Sequence, residues 1–225
     1  MRNAVLIVAA HPDDEALGAG GVIAFHAAKG DVIHIAFMAD GEGARGDNKG
    51  IDGRRESAST AAKALGVPAE NLVFFDFPDN RMDSVPMLDI TKALESLIKK
   101  IGSNIVYTHH EGDLNIDHRL THQAVLTACR PLPGSSVSAI YGFEVLSSTE
   151  WASPETKNAF IPRHYVDIAA HWKKKLAALK AYDKEMRPFP HPRSYQAAQA
   201  LAELRGSQVG LLKAEAFTII RQIAT

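Results

Sequence analysis

The sequence predicts an α/β fold with a mostly parallel sheet and an irregular C-terminal part. Three observations lead there. Short apolar runs alternate with amphipathic stretches of helical length through the first half of the chain, the pattern of β-α units. The first run, residues 3–10, is apolar without alternation, as in a strand buried on both faces. Polar clusters recur directly after each of the first four runs, and open α/β sheets place their sites at the carboxyl ends of strands.

The elements follow in order. Residues 3–10 form the first strand, closed by His11-Pro12. Residues 14–29 read as a helix whose acidic start, Asp14 and Glu15, suits the helix dipole. A second strand spans 32–38, and a Gly- and charge-rich loop covers 39–53. Helix 54–65 ends at Gly66, strand 71–75 follows, and a polar loop fills 76–83. Helix 86–100 carries Pro86 near its first turn. Strand 104–108 leads into a His-rich loop, 109–115, and helix 118–129. Beyond that the pattern loosens. Strands are expected within 137–145, 163–167 and 216–223, helices over 169–182 and 195–205, and a proline-rich loop over 187–193. Residues 131–138 are expected to be a loop within one domain that spans 1–225.

Composition excludes several classes. The formal charge is -1, so no overall field draws nucleic acid or anionic lipid. Cys129 is the sole cysteine, which removes intramolecular disulfides and thiolate clusters and fits a reducing, cytoplasmic setting. The first apolar run is too short for a membrane span and is read as a core strand.

Two segments carry chemistry. His11-Pro12-Asp13-Asp14-Glu15 stands at a strand end and helix start. Imidazole and carboxylate suit a borderline divalent ion such as zinc. The competing reading is that Asp13 or Asp14 caps the helix. The second segment runs from His109 to His122 and holds four of the ten histidines. Within it, Asp117 can brace an imidazole. His118 and His122 could share a helix face, but Arg119 stands where a zincin motif needs Glu, so His122 is read as a packed or surface histidine. Together the segments suggest three protein ligands with room for water, the catalytic rather than the structural zinc pattern.

These residues resemble the LmbE-like, or PIG-L-like, N-acetylglucosaminyl deacetylases. The resemblance runs from Ala-His-Pro-Asp-Asp-Glu through Asp-Leu-Asn-Ile-Asp-His to His-Pro-Arg-Ser at 191–194 and Ala-Glu-Ala-Phe at 214–217. It implies a Rossmann-like three-layer fold and a zinc-dependent hydrolase acting on an N-acetylated sugar or conjugate. By resemblance His11, Asp14 and His118 hold the metal, Asp13 is the general base, and Asp117 orients His118 from beside it. Iron, cobalt or manganese would fit the same ligands. Glu42, Arg54 and Asp79 match substrate-contacting positions; His191 and Arg193 resemble a family signature and could reach the pocket. Some relatives form oligomers, so a homo-oligomer is compatible with the resemblance.

One departure stands out. Several family members carry a histidine three residues before the third ligand, where this chain has Asn115. Asn can donate to an oxyanion but cannot transfer a proton as an acid. Either Asp13 shuttles the proton both ways or His110 substitutes. Trp151, Trp172 and Tyr182 are read as packing or interface residues.

Three rivals accompany this reading. Gly18-Ala19-Gly20-Gly21 invites a nucleotide-binding module, but position 23 is Ile and a pyrophosphate would meet Asp13, Asp14 and Glu15. A sugar-binding relative without catalysis is the second. Hydrolysis of a non-acetyl amide is the third.

Overall fold

The computed structural model describes residues 2–41, 43 and 51–224. Its strands are β1 (Ala4–Ala9), β2 (Val32–Ala39), β3 (Leu72–Phe77), β4 (Ile105–His109), β5 (Ala139–Phe143), β6 (His164–Asp167) and β7 (Ala214–Gln222). Its helices are α1 (Asp14–Lys29), α2 (Ile51–Leu65), α3 (Met87–Ile101), α4 (Ile116–Ala128), α5 (Trp172–Ala181) and α6 (Tyr195–Ser207). Among the described residues the strands form one sheet in the order β3-β2-β1-β4-β5-β7-β6. β1 to β5 run parallel, and β7 lies antiparallel to β5 and β6.

Side-chain alternation along β1 builds the layers. Val5, Ile7 and Ala9 join the core under α1, α2, α5 and α6. Leu6 and Val8 join the opposite core under α3 and α4. Both faces are covered, which is why β1 shows no polar alternation. Each fully buried Leu or Ile contributes about 1.5–3 kcal/mol of burial energy. The fold is therefore the expected α/β type, with the parallel half built as read and the departures confined to boundaries.

Those departures are instructive. The segment 39–53, expected as loop, contains the first turn of α2, which starts at Ile51. α4 starts at Ile116 because Asn115 caps it: the Asn115 side-chain oxygen accepts from Asp117 N at 2.8 Å. The segment expected as helix from 169 opens with a 3-10 turn before α5 begins at Trp172.

The glycines of α1 are packing residues inside a helix. A Cβ at Gly18 would lie 2.3 Å from Phe143, and one at Gly21 would lie 2.6 Å from Ile168. At Gly20 the neighbour is the stem of Lys175, at 3.2 Å. That close approach admits a buried ion pair. Lys175 Nζ donates to Glu215 at 2.6 Å and to the Leu17 carbonyl at 2.8 Å, while Glu215 accepts the Gly21 and Val22 N–H groups at 2.7 Å each. The nucleotide reading therefore loses its glycine loop.

Candidate active site

The turns after β1, β3, β4 and β5 converge at the carboxyl end of the sheet. After β1 the chain turns at Pro12 and places Asp13 at φ 129°, a conformation that L-residues rarely adopt. Asp13 makes no capping hydrogen bond to α1, so the simple capping reading fails for it. Its N–H donates to Glu15 at 3.0 Å, and Glu15 accepts from the Tyr182 hydroxyl at 2.8 Å. Burial pushes the Glu15 carboxyl up to about 8.

His11, Asp14 and His118 are buried, and each offers a donor atom within 4.8 Å of the others. Asp14 Oδ2 lies 3.5 Å from His11 Nδ1 and 3.2 Å from His118 Nε2. The far nitrogens meet carboxylates. His11 Nε2 is 3.0 Å from Asp117 Oδ2 and 3.1 Å from Asp79 Oδ1. His118 Nδ1 is 3.0 Å from Asp113 Oδ1. An imidazole whose outer N–H is fixed by a carboxylate presents its inner nitrogen as a ligand. This donor set fits a divalent ion: two imidazole nitrogens and one carboxylate oxygen, with a pocket on the open side.

The buried carboxylates and imidazoles also shift one another's protonation. Burial alone would raise the Asp14 carboxyl, but the His118 charge and hydrogen bonds from both histidines hold it well below the usual range. Burial opposes protonation of His118, yet the Asp14 and Asp113 carboxylates push it up to about 9. His109 behaves differently. Its ring stacks on His118 with centroids 3.9 Å apart, its Nε2 accepts the Ala10 N–H at 2.8 Å, and burial keeps it neutral.

A polar pocket of about 180 Å³ opens over these groups. Asp13 Oδ2 faces it, 2.9 Å from Arg193 Nη1 and 3.6 Å from Arg54 Nη2. Burial raises the Asp13 carboxyl, and the two guanidinium charges offset part of that rise. Arg193 Nε also donates to Ser147 Oγ at 3.0 Å, and Arg54 Nη1 pairs with Glu185 at 2.7 Å. Gly41, at φ 74°, leaves room for the Arg54 guanidinium, since a Cβ there would lie 3.1 Å from Nη2.

The structure gathers most of the expected residues and corrects others. Arg54, Asp79, Asn115 and Arg193 line the pocket with His11, Asp13, Asp14 and His118. Asp117 braces His11 and not its neighbour His118; it also accepts the Asn80 and Met82 N–H groups at 2.6 and 3.1 Å. Asn115 is taken up as the α4 cap, and its amide nitrogen donates to Asn80 at 3.1 Å. His110 is not brought to the pocket; its Nε2 meets the Asn158 carbonyl at 3.0 Å and its ring stands edge-on to Phe160. His191 also lies outside the pocket lining, with Nδ1 accepting Arg193 N at 3.0 Å. Glu42 lies outside the described residues. His122 is a packed histidine bonded to the His109 carbonyl at 2.8 Å.

Sequence reasoning missed Asp113, Ser148, Thr149 and Glu185. Asp113 stood in the quoted His-rich segment, and its five-residue distance from His118 was the available signal. Ser148 and Thr149 sit behind His118 through Asp113, a contact that no spacing announces.

Comparison with known proteins bears on this site. The family model described as PIG-L, GlcNAc-PI de-N-acetylase, matches residues 6–129. Among curated relatives, YaiS of Escherichia coli K12, an uncharacterized deacetylase, is 34% identical over 190 residues, covering 80% of this chain and 91% of that protein. The 4-oxalmesaconate hydratase of Pseudomonas putida KT2440 is 30% identical over 201 residues, covering 80% and 72%. Among solved structures, the conserved protein TT1542 of Thermus thermophilus superposes with a TM-score of 0.78 at 22% identity, covering 99% of this chain and 97% of that one. No helix among the described residues is long and apolar enough to cross a membrane.

Proposed function

We propose, from the premise that the chain belongs to the PIG-L family, that it hydrolyses the N-acetyl amide of an amino sugar or N-acetylglucosaminyl conjugate. The buried His/Asp cluster and the family together support a metal-dependent deacetylase or amidase. The observation that carries the finer reading is Asp13: a carboxylate outside the ligand set, fixed by Arg193 at 2.9 Å, facing the same pocket as His11, Asp14 and His118. The same reading takes residues 1–225 as one domain, since β7 inserts beside β5 in the shared sheet.

His11, Asp14 and His118 would hold a divalent ion, zinc by preference, which would supply Lewis acidity to lower the pKa of water and polarise the amide carbonyl. The chain's own residues do the rest. Asp13 accepts the proton of the attacking water. The water oxygen bonds to the carbonyl carbon, the carbon–nitrogen bond breaks, and Asp13 returns its proton to the departing nitrogen. Acetate and the amine leave. Asp13 serves in both directions because Asn115 has no acidic proton and is bound up in its cap, while His110 is turned away. Asp79, with one oxygen at His11 and a place in the pocket wall, accepts hydrogen bonds from sugar hydroxyls. Arg54 and Arg193 hold Asp13 and donate at the pocket wall to sugar oxygens.

The test is acetate release from a panel of N-acetylated sugars and conjugates, using metal-stripped protein reloaded with defined ions. Release that tracks bound metal supports the reading. Silence across the panel at stoichiometric metal overturns the N-acetyl assignment.

A second reading, addition of water to a carbon–carbon double bond, is favoured by the 30% identity to the hydratase. Arg54 and Arg193 would then face an anionic substrate. Both already contact carboxylates of this chain, which favours the deacetylase. Loss of conjugated-alkene absorbance without acetate would reverse that preference.

A further inference from the structure

We propose that Trp151 and His191 form an aromatic platform at the rim of the pocket, which receives the apolar face of a second sugar ring. The proposal rests on the amino-sugar reading above and narrows its substrate to an N-acetylated glycoside of two or more rings.

Trp151 is a large aromatic left 50% exposed. A lone exposed apolar side chain needs no explanation. Trp151 is not alone. Its ring stands edge-on to His191, with centroids 5.6 Å apart and planes at 76°. Each residue stands within three positions of one that lines the pocket. Trp151 N donates to the Ser148 carbonyl at 3.2 Å, and Ser148 lines the pocket. Arg193 N donates to His191 Nδ1 at 3.0 Å, and Arg193 lines it too. The two loops are joined by the 3.0 Å bond from Arg193 Nε to Ser147 Oγ. Arg193, the residue that contacts Asp13, thus ties the loop that carries His191 to the loop that leads to Trp151.

Size sets what lies there. At about 180 Å³ the pocket is smaller than the roughly 300–1,000 Å³ sites that enclose a drug-sized ligand. It takes the acetamido end, and a longer substrate must continue across the rim. Indole offers a broad apolar face with a polar N–H at its edge. A pyranose offers the complement, a face of C–H bonds and a perimeter of hydroxyls, and C–H groups are weak donors to a π-face.

The experiment uses metal-loaded protein with N-acetylglucosamine as the one-ring probe and N,N′-diacetylchitobiose as the two-ring probe. Trp172→Phe leaves Trp151 as the sole tryptophan. The disaccharide is expected to change Trp151 emission at concentrations where the monosaccharide has little effect. Emission unchanged by both sugars overturns the platform. In rate measurements Trp151→Ala is expected to lower the disaccharide-to-monosaccharide ratio of kcat/KM about ten-fold or more, with most of the ratio restored by Trp151→Phe. A ratio unchanged to within about two-fold overturns the platform, whatever happens to the oligomeric state. Absence of acetate from either sugar counts against the N-acetyl reading, while the emission response still decides the platform.

Discussion

Asp113 Oδ1 lies 3.0 Å from His118 Nδ1, and the same carboxylate accepts hydroxyl hydrogen bonds from Ser148 and Thr149. The orientation of His118 is thus set from β5's outgoing loop, through a residue five positions upstream. Asp113→Asn keeps the shape but removes the charge that fixes the imidazole tautomer. Metal affinity is expected to fall about 10–100-fold. Competition with a chromophoric chelator reads this directly, and unchanged affinity would remove Asp113 from the support of the site.

Asp13 predicts the opposite split between binding and chemistry. Asp13→Asn leaves His11, Asp14 and His118 in place, so bound metal per chain should stay near wild type. Turnover on a substrate that releases acetate should fall by about 10²–10⁴ with the loss of general base and acid. Metal analysis and initial rates on one preparation check both halves. Near-normal turnover at full metal loading would falsify the assignment of Asp13.

The packing of α1 gives a stability prediction. A Cβ at Gly21 would stand 2.6 Å from Ile168 Cγ2, in a core with no slack. Gly21→Ala should cost about 1–3 kcal/mol. Gly53, in α2, has no atom of the described residues within 4 Å of its added Cβ, so Gly53→Ala should stabilise by about 0.4–1 kcal/mol. Melting temperatures of the two variants should move in opposite directions by about 2–4 °C per kcal/mol.

His164 gives a pH prediction. Burial, aided by the nearby His26, lowers its pKa below the usual 6.5, and its ring stacks on Tyr141 at 4.5 Å. The folded value lies below the unfolded one, so the unfolded chain binds more protons between them. Stability from the neutral ring is present above about pH 6.5 and is lost as pH falls through the folded value. His164→Phe removes this penalty. Its stability relative to wild type should rise as pH drops from about 7.5 to about 5, followed by urea unfolding at each pH; a pH-independent difference would contradict the shift.

Much of this was legible in the chain because buried parallel strands leave unbroken apolar runs. β1, β2 and β4 read almost to the residue, and the turns after β1 and β4 delivered His11, Asp14 and His118 to one place. What failed was partnership. Asp117 and His118 are sequence neighbours, but consecutive helical residues point about 100° apart, so Asp117 turns to His11 and leaves His118 to Asp113. His110 read as a spare acid because it sits among histidines, yet it turns to the Asn158 carbonyl. Asn115 read as a catalytic departure and proved to be a helix cap, a use that the residue type and its place before α4 already permitted. The contacts of Glu15 with Tyr182 and of Arg54 with Glu185 span well over a hundred positions and left no local trace.

The ion pair bonded into α1 limits how this centre can be re-engineered. Lys175 and Glu215 engage the backbone at Leu17, Gly21 and Val22, one to two turns beyond Asp14. They act as a peg through the helix. Sliding or rotating α1 to suit a larger ion would strip a buried carboxylate of its partners, at a cost of several kcal/mol. Any change of metal preference must therefore come from exchanging ligand side chains on a backbone that stays put, with Asp14 as the fixed reference point.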